Sequence, residues 1–268
     1  MNKWYVVLFA IILVSGAVMA GIFLNPPQER HDHDTVFQVS TINALLQAEY
    51  DGVMTFGDLK KQGDFGISTL DALDGEMIAF DGNFYQVKAD GHVYPVSDTM
   101  TTPFGAVTWF ERDMEVPVRN AGNFSEFMEI ADAALPSGNY FYGVRIDGMF
   151  PYIKARAIPA QEKPYPRLVD ASANQSVFEF YNTSGTIVGF YTPEFAGGIN
   201  IPGWHLHYIT DDRTAGGHIL DCAMVNTTMY LDISPSFRAD LPATDSFMNV
   251  SLNEDDLDEE LKHVEQSG

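Results

Sequence analysis

Cysteine is almost missing from the chain. Cys222 stands alone, so no intrachain disulfide can form. It lies in an apolar stretch and reads as a buried core residue. Positive charge is scarce too: 15 Lys and Arg face 37 Asp and Glu, for a formal net charge of −22. Phosphate binding needs clustered Lys and Arg, so this balance excludes a nucleic-acid partner. It also works against long-range attraction of an anionic substrate, which would need a local cation, a metal or a buried Arg. No internal repeat, phosphate-binding glycine loop or dinucleotide fingerprint is present. With 46% hydrophobic and 19% charged residues the chain has a globular composition, and 268 residues can bury one large core or two modest ones.

The ends of the chain differ from its middle. Trp4 to Leu24 is an unbroken uncharged run preceded by Lys3. Val18-Met19-Ala20 would suit signal-peptide cleavage, but the run is also long enough to remain as a membrane tether through residues 4–24. Either form predicts an exported protein, extracellular or held at the cell envelope. Sequons at Asn123, Asn174, Asn182, Asn226 and Asn249 fit that address. Residues 25–35, with paired prolines and acidic character, read as a linker in which His31 and His33 are solvated. The Pro-rich segment Pro159 to Pro166 marks the expected boundary between an N-terminal mixed-sheet domain, 36–165, and a C-terminal metal-binding domain, 166–268, ending in a helical tail.

Three of the seven histidines fall in one short stretch, Gly203-Trp204-His205-Leu206-His207-Tyr208 through Gly216-Gly217-His218. The aromatic and β-branched residues, the polar Gly-rich turn and the returning Ile219-Leu220 form the pattern of a β-hairpin. On a strand, His205 and His207 project from one face, and the turn brings His218 beside them. Three converging imidazoles are three of the four ligands that zinc prefers, with one position left for water or substrate. The surrounding chain reads as many short strands. MIAF (77–80), NFYQV (83–87) and HVYPV (92–96) form a meander across Asp81-Gly82 and Asp90-Gly91, and a further hairpin is expected across Asp147-Gly148. Alternation puts Glu76 on the same side as Ile78 and Phe80, where a carboxylate is costly unless paired or functional. A helix is expected over Phe124–Ala134. In the tail, Leu257, Leu261 and Val264 repeat at helical spacing behind Asn253 as cap, and Glu265 falls on the apolar stripe.

The run from Gly185-Thr186-Ile187-Val188-Gly189-Phe190 through the histidine hairpin closely resembles the alpha-acetolactate decarboxylases. So do Gly63-Asp64-Phe65-Gly66-Ile67, Leu73-Asp74-Gly75-Glu76, Thr102-Pro103-Phe104-Gly105, and Arg156 followed by Pro164-Tyr165-Pro166. The resemblance covers about residues 36 to 265. Many short strands and few helices suggest mixed β-sheets with peripheral helices and the metal site on the β-hairpin; the resemblance implies a two-domain α+β architecture with the metal between the sheet and the C-terminal segment. It also implies zinc (Zn2+) on His205, His207 and His218, with Glu76, Arg156, Thr69 and Glu265 as the catalytic residues. For the last of these, Glu259 and Glu260 compete for the assignment, and Ser68 stands where the family usually has glycine. The implied reaction turns 2-acetolactate into acetoin and CO2, zinc stabilising the enediolate left behind. Arg145 is the rival cation. A homodimer is an admissible assembly.

Two other classes compete. A cupin-like oxygenase or hydrolase also uses H-x-H with a distant His, and would coordinate Asp211. A non-catalytic exported metal-binding protein would fill its metal's coordination shell.

Overall fold

The computed structural model describes residues 32–254 and 256–266. The expected leader and most of the linker lie outside the described residues. In chain order the strands are β1 (Thr35–Val39), β2 (Met54–Thr55), β3 (Phe65–Thr69), β4 (Glu76–Phe80) and β5 (Asn83–Val87). Next come β6 (Val93–Pro95), β7 (Thr101–Thr102), β8 (Gly105–Thr108), β9 (Met114–Ala121) and β10 (Phe141–Ala157). The last are β11 (Ser176–Thr192), β12 (Gly203–Thr210), β13 (Gly216–Ser234) and β14 (Ser236–Asp240). The helices are α1 (Ile42–Leu46), α2 (Phe56–Leu59), α3 (Phe124–Ala134), α4 (Leu168–Ser172), α5 (Asp245–Asn249) and α6 (Leu257–Gln266). This is a mixed α+β fold of several sheets and few helices.

A seven-stranded sheet runs β14-β1-β8-β3-β4-β5-β6, and its β1–β14 pair is parallel. A five-stranded sheet runs β10-β11-β12-β13-β9, and β13 also pairs with β10. That extra pairing closes a ring. From Arg145 the neighbours lead to Val188, His207 and His218, then back to β10 at Arg156. The sheet therefore curls into a strongly staggered barrel. Its interior is apolar: Trp204, Leu206, Tyr208, Ile219, Cys222 and Met224 point inward, and Phe127 and Ala131 of α3 pack on the same core. Cys222 is buried there, as its sequence context indicated.

The barrel's outer face meets the seven-stranded sheet through Val188, Phe190 and Ile209 against Ile67, Ile78, Phe80 and Ala106. The other face of the seven-stranded sheet is covered by Phe56 and Leu59 of α2. A third layer joins α1, α4 and α6 through Ile42, Leu46, Leu168, Leu257, Leu261 and Val264. Each such side chain taken out of water stabilises the docking of α6 by roughly 1.5–3 kcal/mol at most. Without that docking a ten-residue helix would be marginal.

Several expectations change. A cut at residue 165 would divide the barrel, because β10 lies before it while its partners β11 and β13 lie after it. It would also part β14 from β1. The hairpin expected at Asp147-Gly148 does not form. β10 runs straight through, since strands on both sides pair with Asp147, and its carboxylate accepts from Thr186 Oγ1 (2.9 Å) and Arg145 Nε (2.8 Å). Val177–Tyr181 and Gly185–Tyr191 likewise belong to one strand, β11. Its only interruption is at Asn182 (φ 50°), opposite Pro151, which has no N–H to give. The meander and α3 fall as expected, and Asn123 caps α3 by accepting from Glu126 N at 2.9 Å. Asn253 is not the cap of the tail helix, which begins at Leu257. Among the described residues no helix is long and apolar enough to cross a membrane.

Candidate functional site

The histidines arise from strand alternation. Trp204, Leu206 and Tyr208 fill the barrel, so His205 and His207 face outward to the seven-stranded sheet. His218 is the cross-strand partner of both His207 and Arg156. A bulge permits this. Between Lys154↔Asp221 and Ala155↔Ile219 the register shifts, leaving Leu220 unpaired. Gly217 (φ 143°) packs tightly on this crossing, where a Cβ would lie 2.4 Å from the Arg156 carbonyl oxygen.

His205 Nε2 lies 3.0 Å from His218 Nδ1 and 3.2 Å from His207 Nε2. The three residues form a group that could hold a metal ion. His207 Nδ1 donates to Met77 O at 3.0 Å, which fixes the ring and frees Nε2. Burial lowers the basicity of all three rings, and the nearby Arg156 charge lowers it further; His207 falls to about 3. They are therefore neutral, with lone pairs available for a cation.

Glu76 and Thr69 are cross-strand partners at the ends of β4 and β3. Glu76 faces the barrel with Ile78 and Phe80, as alternation required. Its Oε2 is 3.7 Å from His207 Nε2. Thr69 Oγ1 donates to Gly75 O at 2.8 Å and ties down the turn before Glu76. Gly75 must be glycine: φ is +83°, and a Cβ would lie 2.2 Å from Val87 O. Burial pushes Glu76 up to about 7, Glu265 raises it further, and Arg156 opposes both.

Glu265 arrives on α6. Its Oε2 lies 3.5 Å from His218 Nε2 and its Oε1 3.5 Å from Arg156 Nη2. Burial raises its pKa while Arg156 works against that rise. Arg156, 3% exposed, donates from Nη1 to Val264 O (2.7 Å) and Gln175 Oε1 (2.9 Å). Its Nε has no hydrogen-bond partner. All seven sequence-derived residues thus line one cavity of about 50 Å³, closed on its other side by Ile42, Leu45, Phe104, Ile158, Leu168 and Ile201.

The rivals lie elsewhere. Arg145 is engaged by Asp81 (2.7 Å) and Asp147 (2.8 Å). Glu260 faces Arg167, and Glu259 points to solvent. Asp211 is exposed and accepts from Ser184 Oγ, so it is no part of the histidine group. Sequence reasoning missed Gln175 and the apolar wall. Gln175 sits in an unpatterned turn, and no local signal links it to a residue on a strand it never neighbours in sequence.

A barrel against a sheet, with three imidazoles, two carboxyl groups and a guanidinium around one buried chamber, has the parts of a site that could hold a metal ion and carry out acid–base chemistry. Comparison with known proteins is more specific. Residues 36–254 match the family model for alpha-acetolactate decarboxylase. The alpha-acetolactate decarboxylase of Methanosarcina mazei is 52% identical over 243 residues, covering 91% of this chain and 84% of that one. The Bacillus subtilis enzyme of the same name is 39% identical, covering 87% and 91%. The crystal structure of the Bacillus subtilis enzyme superposes with a TM-score of 0.85 over 87% of this chain and all of that one. The chain belongs to the alpha-acetolactate decarboxylase family. It is a decarboxylase, an enzyme of the carboxy-lyase class.

Proposed function

We propose that the chamber converts 2-acetolactate to acetoin and CO2 with a zinc ion on His205, His207 and His218. The observation that carries this reading is the convergence of those three ring nitrogens beside Arg156. Two imidazole nitrogens about 2.1 Å from one tetrahedral zinc are separated by roughly 3.4 Å, a few tenths of an ångström wider than the 3.0 and 3.2 Å spacings here. The donor set fits in kind as well, being neutral nitrogens with His207 oriented from behind by the Met77 carbonyl. When bound, zinc supplies Lewis-acid stabilisation for the negative charge that grows as CO2 leaves.

The protein's own groups handle orientation and protons. Arg156 meets the substrate carboxylate or the charge developing from it. Its own charge is held in place by Val264 O and Gln175, so little reorganisation is needed. Loss of CO2 breaks one carbon–carbon bond and leaves its electron pair on the substrate, and that carbon then takes up a proton. A carboxyl with its pKa near 7 can both hold and give such a proton at neutral pH, and Glu76 meets that condition. Glu265, across the histidines, is the second proton-handling group. Thr69 acts by fixing the Gly75 turn that aims Glu76. The apolar wall receives the substrate's methyl groups and excludes water. On the strength of the leader, we place the enzyme outside the cytoplasm.

The test is to incubate the purified full chain with 2-acetolactate, with and without chelator, and measure acetoin above the spontaneous rate. Chelator-sensitive formation that zinc restores is the expected result. Folded, zinc-loaded protein that yields no excess acetoin would overturn the reading.

A further inference from the structure

Glu265 reaches the chamber from the last helix of the chain, so something must hold that helix in place. Its apolar stripe, Leu257, Leu261 and Val264, explains why it packs but not how its approach is fixed. Arg167, the residue just before α4, faces three carboxylates of the C-terminal segment. Its Nη2 lies 3.0 Å from Glu260 Oε2 and 3.4 Å from Glu254 Oε2, and its Nη1 lies 3.3 Å from Asp256 Oδ2. Glu254 is also held by Gln47 Nε2 at 2.9 Å. Burial raises the pKa of Glu260 while Arg167 opposes that rise, and the negative charges of Asp256, Asp170 and Glu254 add to it. Take Arg167 away, and these carboxylates repel one another at the root of α6.

From Glu260 to Glu265 is little more than one helical turn, so the segment behaves as a rigid rod. Its far end does two things at once. Val264 O accepts from Arg156, and Glu265 pairs with Arg156 and His218. It also forms a wall: Glu265 and Ile201 line both the chamber and an outer basin of about 490 Å³ bounded by Phe195, Pro202, Asp258 and Lys262.

We propose that Arg167 is a positioning residue of this enzyme. Through Glu254, Asp256 and Glu260 it latches α6, keeping Glu265 and the Val264 carbonyl on Arg156. This rests on the reading of Glu265 as a proton-handling group.

The experiment compares the zinc-loaded full chain with its Arg167→Ala, Arg167→Lys and Glu265→Gln variants. Zinc content, kcat, KM and hydrogen exchange of residues 257–266 are measured for each. In Arg167→Ala, exchange of 257–266 should rise by roughly tenfold or more while β12 and β13 keep their protection and zinc content is unchanged. Its kcat should fall by about tenfold with a smaller change in KM. Arg167→Lys should recover most of both, since the charge is kept and only the fork is lost. Unchanged exchange in 257–266 would overturn the latch. A loosened helix with kcat within about twofold of the parent would overturn the positioning role. If Arg167→Ala does not fold, Arg167→Gln, which keeps part of the length of the side chain and loses its charge, decides by the same readouts. If Glu265→Gln keeps its kcat, the role given to Glu265 falls, while the exchange data still decide the latch.

Discussion

The two ends of the β10–β13 pair both take charge out of water, with different results. At one end His218 and Arg156 face each other beside Glu76 and Glu265. At the other, Asp232 pairs across to Gly143, fully buried, with Thr108 Oγ1 at 3.3 Å and no partner for Oδ1. Burial raises both carboxyls, Glu76 to about 7 and Asp232 to about 8, the latter helped by the charge of Asp113 and opposed by the hydrogen bond from Thr108. A raised pKa therefore does not mark the active end. Convergence does: around Glu76 a guanidinium, a second carboxyl and three imidazoles share one cavity, and among the described residues Asp232 has no such company.

The largest effect expected from breaking this contrast is at the histidines. His207→Ala should remove bound zinc and cut kcat/KM by about 10³-fold or more, read by metal analysis and acetoin formation. Arg156→Lys comes next, with a loss of about 10²-fold. A lysine keeps the charge but cannot serve Val264 O and Gln175 while meeting substrate.

At the inactive end the expected effect is on stability. Asp232 is protonated in the folded protein up to about pH 8 but ionises near pH 4 when unfolded. The folded state therefore binds the extra proton across that window, and stability falls as pH rises through it, levelling off above about 8. Asp232→Asn should remove the fall. Denaturant titration at pH 8.5 should find the variant more stable by about 2–4 kcal/mol, the difference shrinking toward pH 4, with acetoin formation unchanged. The smallest effect belongs to neither end. Asn123→Ala strips the cap from α3 and should cost about 1 kcal/mol without touching kcat.

Much of the active end was legible because it is local. His205-x-His207 and His218 sit on adjacent strands, and Glu76 follows from alternation with Ile78 and Phe80. Arg156 and Glu265 were placed by family resemblance; nothing in their own neighbourhoods says that one clasps the other. The fold was less legible. Asp147-Gly148 has the composition of a turn, yet partners from distant sequence pair through it, and tertiary pairing outweighs the local signal. The ring closure through β13 likewise depends on contacts between residues far apart along the chain. Asp232 gave no signal, since one acidic residue in a long strand looks like any solvated position.

The unpaired Leu220 has a consequence for how this chain can vary. Inward-facing residues of β13 count back regularly from Met224 to Cys222, then skip to Ile219. One surplus residue thus resets the phase of the strand, putting His218 in the chamber and not in the barrel. Deleting Leu220 would remove no ligand and no charge, yet it would turn the His218 imidazole toward the apolar interior. Between His207 and His218 the exposed turn can absorb changes in length. Between His218 and Cys222 it is the count of residues, more than their identity, that keeps the third imidazole with the other two.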